Sequence, residues 1–255
     1  MNRKPAQRMQ CVVFICTLFL TIATTACGQQ KIESKAETKA ETKVEDKSSG
    51  AHPATKGAIF KTVPEKIDTQ ARYLIYLHGK IIEEKGLRPT DARYGVYEYE
   101  AILKALADKG LAVISEARPK GTDPKQYAPK VLGQIKELLK AGVPPAHITV
   151  VGASKGSVIT MLVSTLLKNR DVNFVIMSNC NDWVLENFEV DLYGNVLSIY
   201  DFKDEFGSTC RRFFDRATGL NRHKEIELTL GTGHAILYKP LPEWIEPVAD
   251  WATQQ

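Results

Sequence analysis

The stretch Ile148 to Leu162, "ITVVGASKGSVITML", sets a serine between two apolar runs and fences it with glycines. Gly152-Ala153-Ser154-Lys155-Gly156 fits the pattern Gly-x-Ser-x-Gly. So short a pattern recurs by chance, and its context carries more weight. The apolar run before it reads as a strand and the run after it as a helix. A strand-to-helix turn this tight strains the serine backbone, and flanking glycines let strand and helix approach closely. The turn thrusts the Ser154 hydroxyl out above the sheet. It also sets the amide of Lys155 at a helix N-terminus, aimed where an oxyanion would form. A glycine-rich turn at a helix start can instead cradle phosphate, but the chain has no Gly-x-x-x-x-Gly-Lys-Ser/Thr pattern.

The elements that must position this serine alternate between short β-rich runs and longer helical ones. Strands are predicted at Tyr73–Leu77, Ala112–Ser115, Ile148–Gly152, Val172–Ser178, Val196–Tyr200 and Ile226–Leu230. Helices are predicted at Val96–Asp108, Pro124–Lys140, Lys155–Lys168 and Leu241–Trp251. Apolar strands alternating with helices indicate a parallel sheet covered on both faces. Ligands of such sheets bind beyond the carboxyl ends of the strands.

With the serine turn placed in this frame, residues 58–255 resemble the α/β-hydrolase family. The resemblance implies an α/β-hydrolase fold, a mostly parallel sheet with helices on both faces. It also implies a base and an acid after the serine, in the order Ser, Asp or Glu, His. Of the five histidines, His52 precedes the serine, His147 sits in a Pro-rich turn and His223 stands in the charged stretch "NRHKE". His234 lies in "LGTGHAIL", in a glycine loop past the last strand, where the family keeps its catalytic base. The acid should follow the next-to-last strand, in "VLSIYDFKDEF". Asp204 occupies the family's acid position and Asp201 the turn position; Asp201 remains the rival, and Asp182 in "NCNDW" is more remote. The resemblance also assigns a second oxyanion donor, the amide of Lys80, after His78-Gly79 at the end of "YLIYLHGK". His78 is then orienting rather than the base. Only "AIFKTV" is available for the strands that usually precede this one, so the first edge of the sheet is reduced. The fifteen residues between Cys180 and Val196 leave no room for a cap domain.

The activity this implies is a serine hydrolase working on a carboxylic ester, with thioester and amide bonds left open. Its substrate would be a small molecule or a polymer-borne ester. Arg93 and Arg118 are candidates for the substrate rim, against the alternative of a merely solvated edge. No cofactor is implied, and no Cys/His cluster has metal-ligand spacing. Two other classes share the fold: a non-enzymatic binding or scaffold protein, and an acyltransferase.

The first quarter of the chain reads differently. Met1 to Gln10 carries Arg3, Lys4 and Arg8 and no acid, and Cys11 to Ala23 is apolar but for Thr17 and Thr21. This is a secretory leader, residues 1–26, whose core is short for a permanent span of about 20 residues. Thr24-Thr25-Ala26-Cys27 resembles the lipobox of bacterial lipoproteins, although a lipobox usually starts with Leu. That resemblance implies acylation of Cys27 with chains such as palmitate. Gly28, rather than Asp, then implies sorting to the outer membrane, on the face toward the periplasm. The alternative is plain cleavage after Ala26. Residues 27–57 read as a tether. In "KAETKAETKVEDK" every i,i+4 pair is like-charged, and no apolar stripe exists to pack a helix. About 28 flexible residues reach roughly 30 Å.

The whole chain of 255 residues carries a formal charge of +4. Removing the leader takes three cations and leaves about +1, no electrostatic footprint for nucleic acid. Cys180 and Cys210 are an even pair that an oxidising compartment can join. In the family topology they lie past the ends of adjacent strands, so a disulfide there would staple the loop carrying Asp204.

Overall fold

The computed structural model describes residues 57–254. The leader, Cys27 and the tether up to residue 56 lie outside the described residues. Seven strands form one sheet: β1 (Ile59–Phe60), β2 (Tyr73–Leu77), β5 (Ala112–Ile114), β6 (Ile148–Ala153), β7 (Asn173–Met177), β8 (Tyr193–Asp201) and β9 (Gly219–Leu228). Two further strands, β3 (Thr90–Asp91) and β4 (Gly95–Val96), pair only with each other. The order across the large sheet is β1-β5-β2-β6-β7-β8-β9, and every neighbouring pair is parallel.

Side-chain alternation divides the core into two layers. Tyr73, Ile75 and Leu77 of β2 face one layer and Leu74 and Tyr76 the other. The first layer lies under α3 (Pro124–Lys140) and α4 (Lys155–Leu167), through Val131, Ile135, Val158 and Ile159. The second lies under α2 (Tyr99–Asp108) and α7 (Pro242–Thr253), through Ile102, Leu106, Trp244 and Val248. Strands buried on both faces are what a parallel sheet with helices on each side requires. This is the α/β architecture that the hydrolase resemblance implies. Three short α-helices are also present among the described residues: α1 (Lys80–Lys85), α5 (Asp182–Asn187) and α6 (Arg211–Phe214).

Several elements differ from what the sequence alone predicts, among them β8, which starts at Tyr193 rather than Val196, and the short β3, β4, α5 and α6. The helix expected from Val96 starts at Tyr99, because Gly95, at φ 82°, turns the chain and pairs Val96 back onto Thr90. A helix, α1, starts directly after Gly79 where no element was expected. The last strand begins at Gly219 and includes "NRHKE", because it pairs along the whole of β8 as an edge strand that needs no burial on both faces. Its outer edge is open, and at the opposite end the sheet finishes in the two residues of β1.

Candidate active site

The chain enters at β1, reaches β2, steps outward to β5 and then crosses back to β6. The strand order therefore reverses between β2 and β6, and their carboxyl ends open a crevice where ligands of such sheets bind. β2 and β6 run in register from Tyr73 opposite Ile148 to Leu77 opposite Gly152. His78 and Gly79 thus emerge beside Ala153 and Ser154.

Ser154 has φ 53° and ψ −116°, one of three non-glycine residues at positive φ among the described residues. Such a conformation costs of order 1–3 kcal/mol and persists only when the surroundings enforce it. The Ser154 N–H donates to Met177 O at 3.0 Å, and Asn179 Nδ2 donates to Ser154 O at 2.8 Å. The two elbow glycines are required by space. A Cβ on Gly156 would stand 1.9 Å from Leu77 O, and one on Gly152 would stand 2.4 Å from Gly156 O. A Cβ on Gly79 would lie 3.6 Å from the Ser154 Cβ, so the start of α1 passes directly beside the serine. Lys80 and Lys155 are the first residues of their helices, so neither amide has an acceptor four residues back.

His234 follows β9, in a short 3₁₀ turn spanning Gly233–Tyr238. Its Nδ1 lies 3.0 Å from both carboxylate oxygens of Asp204, whose side chain has no exposed surface. Phe206 packs edge-on against the imidazole, ring centres 4.8 Å apart. Asp201 makes no such contact. Its Oδ1 accepts the N–H groups of Lys203 and Gly233, and its Oδ2 accepts that of Gly231. It holds the His234 loop by its backbone. No hydrogen bond joins the Ser154 hydroxyl to His234 among the described residues, although both line one pocket. Such bonds often tighten only around substrate.

His78 is wholly buried. Its Nε2 accepts the Arg118 N–H at 2.9 Å, so its Nδ1 carries the proton and donates to Gly79 O at 2.8 Å. Burial, with Arg118 beside it, lowers its pKa to about 3. A neutral, fully bonded imidazole orients the turn after β2 and is not available as a base.

The two rim arginines part company. Arg118 is only 2% exposed and is not at the rim. It is drawn beneath the site because Glu83 of α1 offers a buried carboxylate, 2.9 Å from Arg118 Nε. The stretch "SEARPK" reads as polar surface only while that partner is unseen. Arg93 is exposed, with its charge taken up by Glu205 and its guanidinium 4.8 Å from the Tyr94 ring centre. Tyr94 and Glu205 line the pocket in front of it. The pair lowers the Glu205 pKa, through the Tyr94 hydroxyl first and Arg93 second. Lys155 turns its amine to Glu83 Oε2, 2.6 Å away.

The pocket above Ser154 has a volume of about 1030 Å³. Its floor and back carry Gly79, Lys80, Ser154, Lys155 and His234. Its walls carry Tyr94, Tyr97, Trp183, Phe188 and Phe206. Trp183 is 57% exposed and Phe206 47%, so both present open aromatic surface at this pocket. Glu84, Lys85, Asp91, Lys125 and Glu205 line the same pocket, so a polar rim stands beside the aromatic surface. Trp183 comes from α5 and Phe188 directly follows it; the Asn181 cap of this helix accepts the Val184 N–H at 2.9 Å, and the cap residue in "NCNDW" is the sequence signal that marks it. Just behind the wall, Cys180 is bonded to Cys210, with Cα atoms 5.1 Å apart, and the loop bearing Asp204 lies between them.

No protein-family model matches the sequence. No curated protein matches it either. Among solved structures, the chain is similar to SOBER1 of Arabidopsis thaliana, at 12% identity over 72% of this chain and 98% of that one, with a TM-score of 0.49. It is similar to Est1E of Butyrivibrio proteoclasticus, solved with ferulic acid bound, at 13% identity over 75% of this chain and 90% of that one, with a TM-score of 0.45. It is similar also to an esterase of Mycobacterium tuberculosis, at 14% identity over 70% of this chain and 83% of that one, with a TM-score of 0.42.

Proposed function

We propose that the protein is a serine hydrolase that cleaves carboxylic esters through an acyl-enzyme. The observation that carries this reading is the strained Ser154 on the floor of a pocket also lined by a histidine bonded to a buried carboxylate. Ser154 Oγ attacks the ester carbonyl carbon while His234 Nε2 takes its proton. Asp204 holds the imidazole with Nδ1 protonated and stabilises the imidazolium, without itself being protonated. The carbonyl oxygen becomes an oxyanion between the amides of Lys80 and Lys155. The tetrahedral intermediate collapses, the alcohol leaves with the proton from His234, and the acyl group stays on Ser154. Water, deprotonated by His234, then releases the acid and restores the hydroxyl. The aromatic walls favour an ester with a large apolar group over a small polar one.

We propose further that the leader and Cys27 place this activity at a bacterial envelope, on a lipid anchor. Support comes from the basic start, the apolar core and the small residues before Cys27.

The test is to label the full-length chain, purified in detergent, with a fluorophosphonate and map the modified peptide. Ser154→Ala and His234→Ala are run in parallel, with p-nitrophenyl acetate, a long-chain and an aryl ester as substrates. Label on Ser154 that requires His234, with faster turnover of the bulkier esters, is the expected result. A folded wild type that neither labels nor turns over any ester overturns the reading. Metabolic labelling with palmitate, lost in Cys27→Ser, tests the anchor.

A further inference from the structure

Neither the proposed triad nor the two oxyanion amides uses Glu83, yet both oxygens of its carboxylate are taken by cations. Oε2 meets Lys155 Nζ at 2.6 Å and Oε1 meets Arg118 Nε at 2.9 Å. The Glu83 and Arg118 side chains have no exposed surface and that of Lys155 is largely buried. Arg118 donates through a second nitrogen to His78 O, and His78 bonds Gly79 O. The contacts form one chain: Lys155, Glu83, Arg118, His78, Gly79. Its two ends adjoin the starts of α1 and α4, which carry the two proposed oxyanion amides.

Stability does not account for this arrangement. Burying three charges costs more than their mutual attraction commonly returns, and well-packed apolar side chains of similar volume are often as stable. Arg118 Nη1, moreover, is buried without a partner. What the arrangement does provide is geometry. Glu83 sits one turn into α1, three residues after Lys80, and Lys155 opens α4. A carboxylate that takes one cation on each oxygen fixes the start of α1 against the start of α4.

We infer that Glu83 is a positioning residue, holding the amides of Lys80 and Lys155 at the spacing that one oxyanion requires. This rests on the hydrolase reading. A displacement of about 1 Å at a reacting centre can cost on the order of 10²-fold in rate. Electrostatics alone would act in the opposite direction. Glu83→Gln removes a negative charge and leaves Arg118 and Lys155 both positive, which by itself favours an oxyanion. A fall in rate therefore reports lost alignment.

The experiment compares full-length wild type, Glu83→Gln, Glu83→Asp, Lys155→Met and the Glu83→Gln, Lys155→Met double variant, using p-nitrophenyl acetate turnover and the rate of fluorophosphonate labelling at Ser154. Lys155→Met keeps the Glu83–Arg118 pair and cuts the link to the elbow, but it also removes a positive charge near the oxyanion; should Glu83→Gln fail to fold, Glu83→Asp, which keeps every charge and shortens the link by one methylene, decides the matter. Each single variant is expected to lose about 10- to 100-fold in kcat and in labelling rate, with KM changed less than about 2-fold and the double variant no worse than the poorer single. Wild-type kcat in folded Glu83→Gln, Glu83→Asp or Lys155→Met overturns the inference and leaves the hydrolase reading standing. A wild type without label or turnover overturns both, and does so before any variant is compared.

Discussion

Asp201 Oδ1 accepts the N–H of Gly233 at 2.9 Å, one residue before His234. Asp204, three positions further along the same loop, holds the imidazole itself. Two carboxylates on one turn thus divide the work, one setting the loop and the other the ring. The division predicts opposite signatures. Asp204→Asn should lower kcat by about 10⁴-fold, as expected when the tautomer-holding acid is neutralised, with little change in the denaturation midpoint. Asp201→Ala removes the acceptor of three backbone donors, of which the Gly233 N–H is buried, and should cost about 1–3 kcal/mol. Urea melts and ester turnover on the same pair separate the two roles.

The strain at Ser154 predicts a trade between stability and activity. Ser154→Gly relieves the positive φ and should stabilise the fold by about 1 kcal/mol, after the extra freedom glycine gives the unfolded chain, while abolishing turnover. Gly156→Ala should do the reverse of stabilising, because its Cβ would fall 1.9 Å from a backbone oxygen that cannot step aside. The expected outcome is loss of soluble folded protein, read by circular dichroism and yield.

The Cys180–Cys210 bond closes a loop of sequence separation 30 around the acid. Replacing both cysteines by alanine should cost roughly 3.5 kcal/mol in the chain-entropy account. Activity at temperatures well below the melt should fall only several-fold, because the Asp204–His234 contact does not involve the sulfurs. A loss of activity as large as that of Asp204→Asn would show the bond to be part of the site.

Acid should unfold the protein partly through His78. Its folded pKa, about 3, lies below the ordinary value of 6.5, so the unfolded chain takes up a proton that the folded one refuses. The contribution is therefore complete above pH 6.5 and is lost progressively as pH falls toward 3, roughly 4–5 kcal/mol over the full window. His147, also shifted down by burial, acts in the same direction. Denaturant midpoints at pH 7 and 4.5 should differ in wild type and differ less in His78→Gln.

Much of this was readable in the chain. The strand at Tyr73–Leu77 and the helix at Pro124–Lys140 occupy the residues their patterns mark, because a wholly apolar run and an Asp-Pro start ended by Gly142 are local signals. The serine turn is equally local. What the chain hid is pairwise. Whether Asp201 or Asp204 meets His234 depends on a loop 30 residues away. Arg118 looked like surface because its partner Glu83 lies 35 residues earlier, in a helix too short to show a period. Trp183, Phe188 and Phe206 lie in loops and one short helix, where no repeat tells an aromatic wall from a scattered surface.

The two ends of the sheet differ in length but have a common result. β1 offers two residues, too few to template another strand. β9 offers ten, but Arg222, His223, Lys224, Glu225 and Glu227 stud its length. Charges along an open border, and a border too short to copy, are the ways in which sheet proteins resist joining edge to edge. Neither border of this sheet therefore offers a second copy a template along which to add a strand.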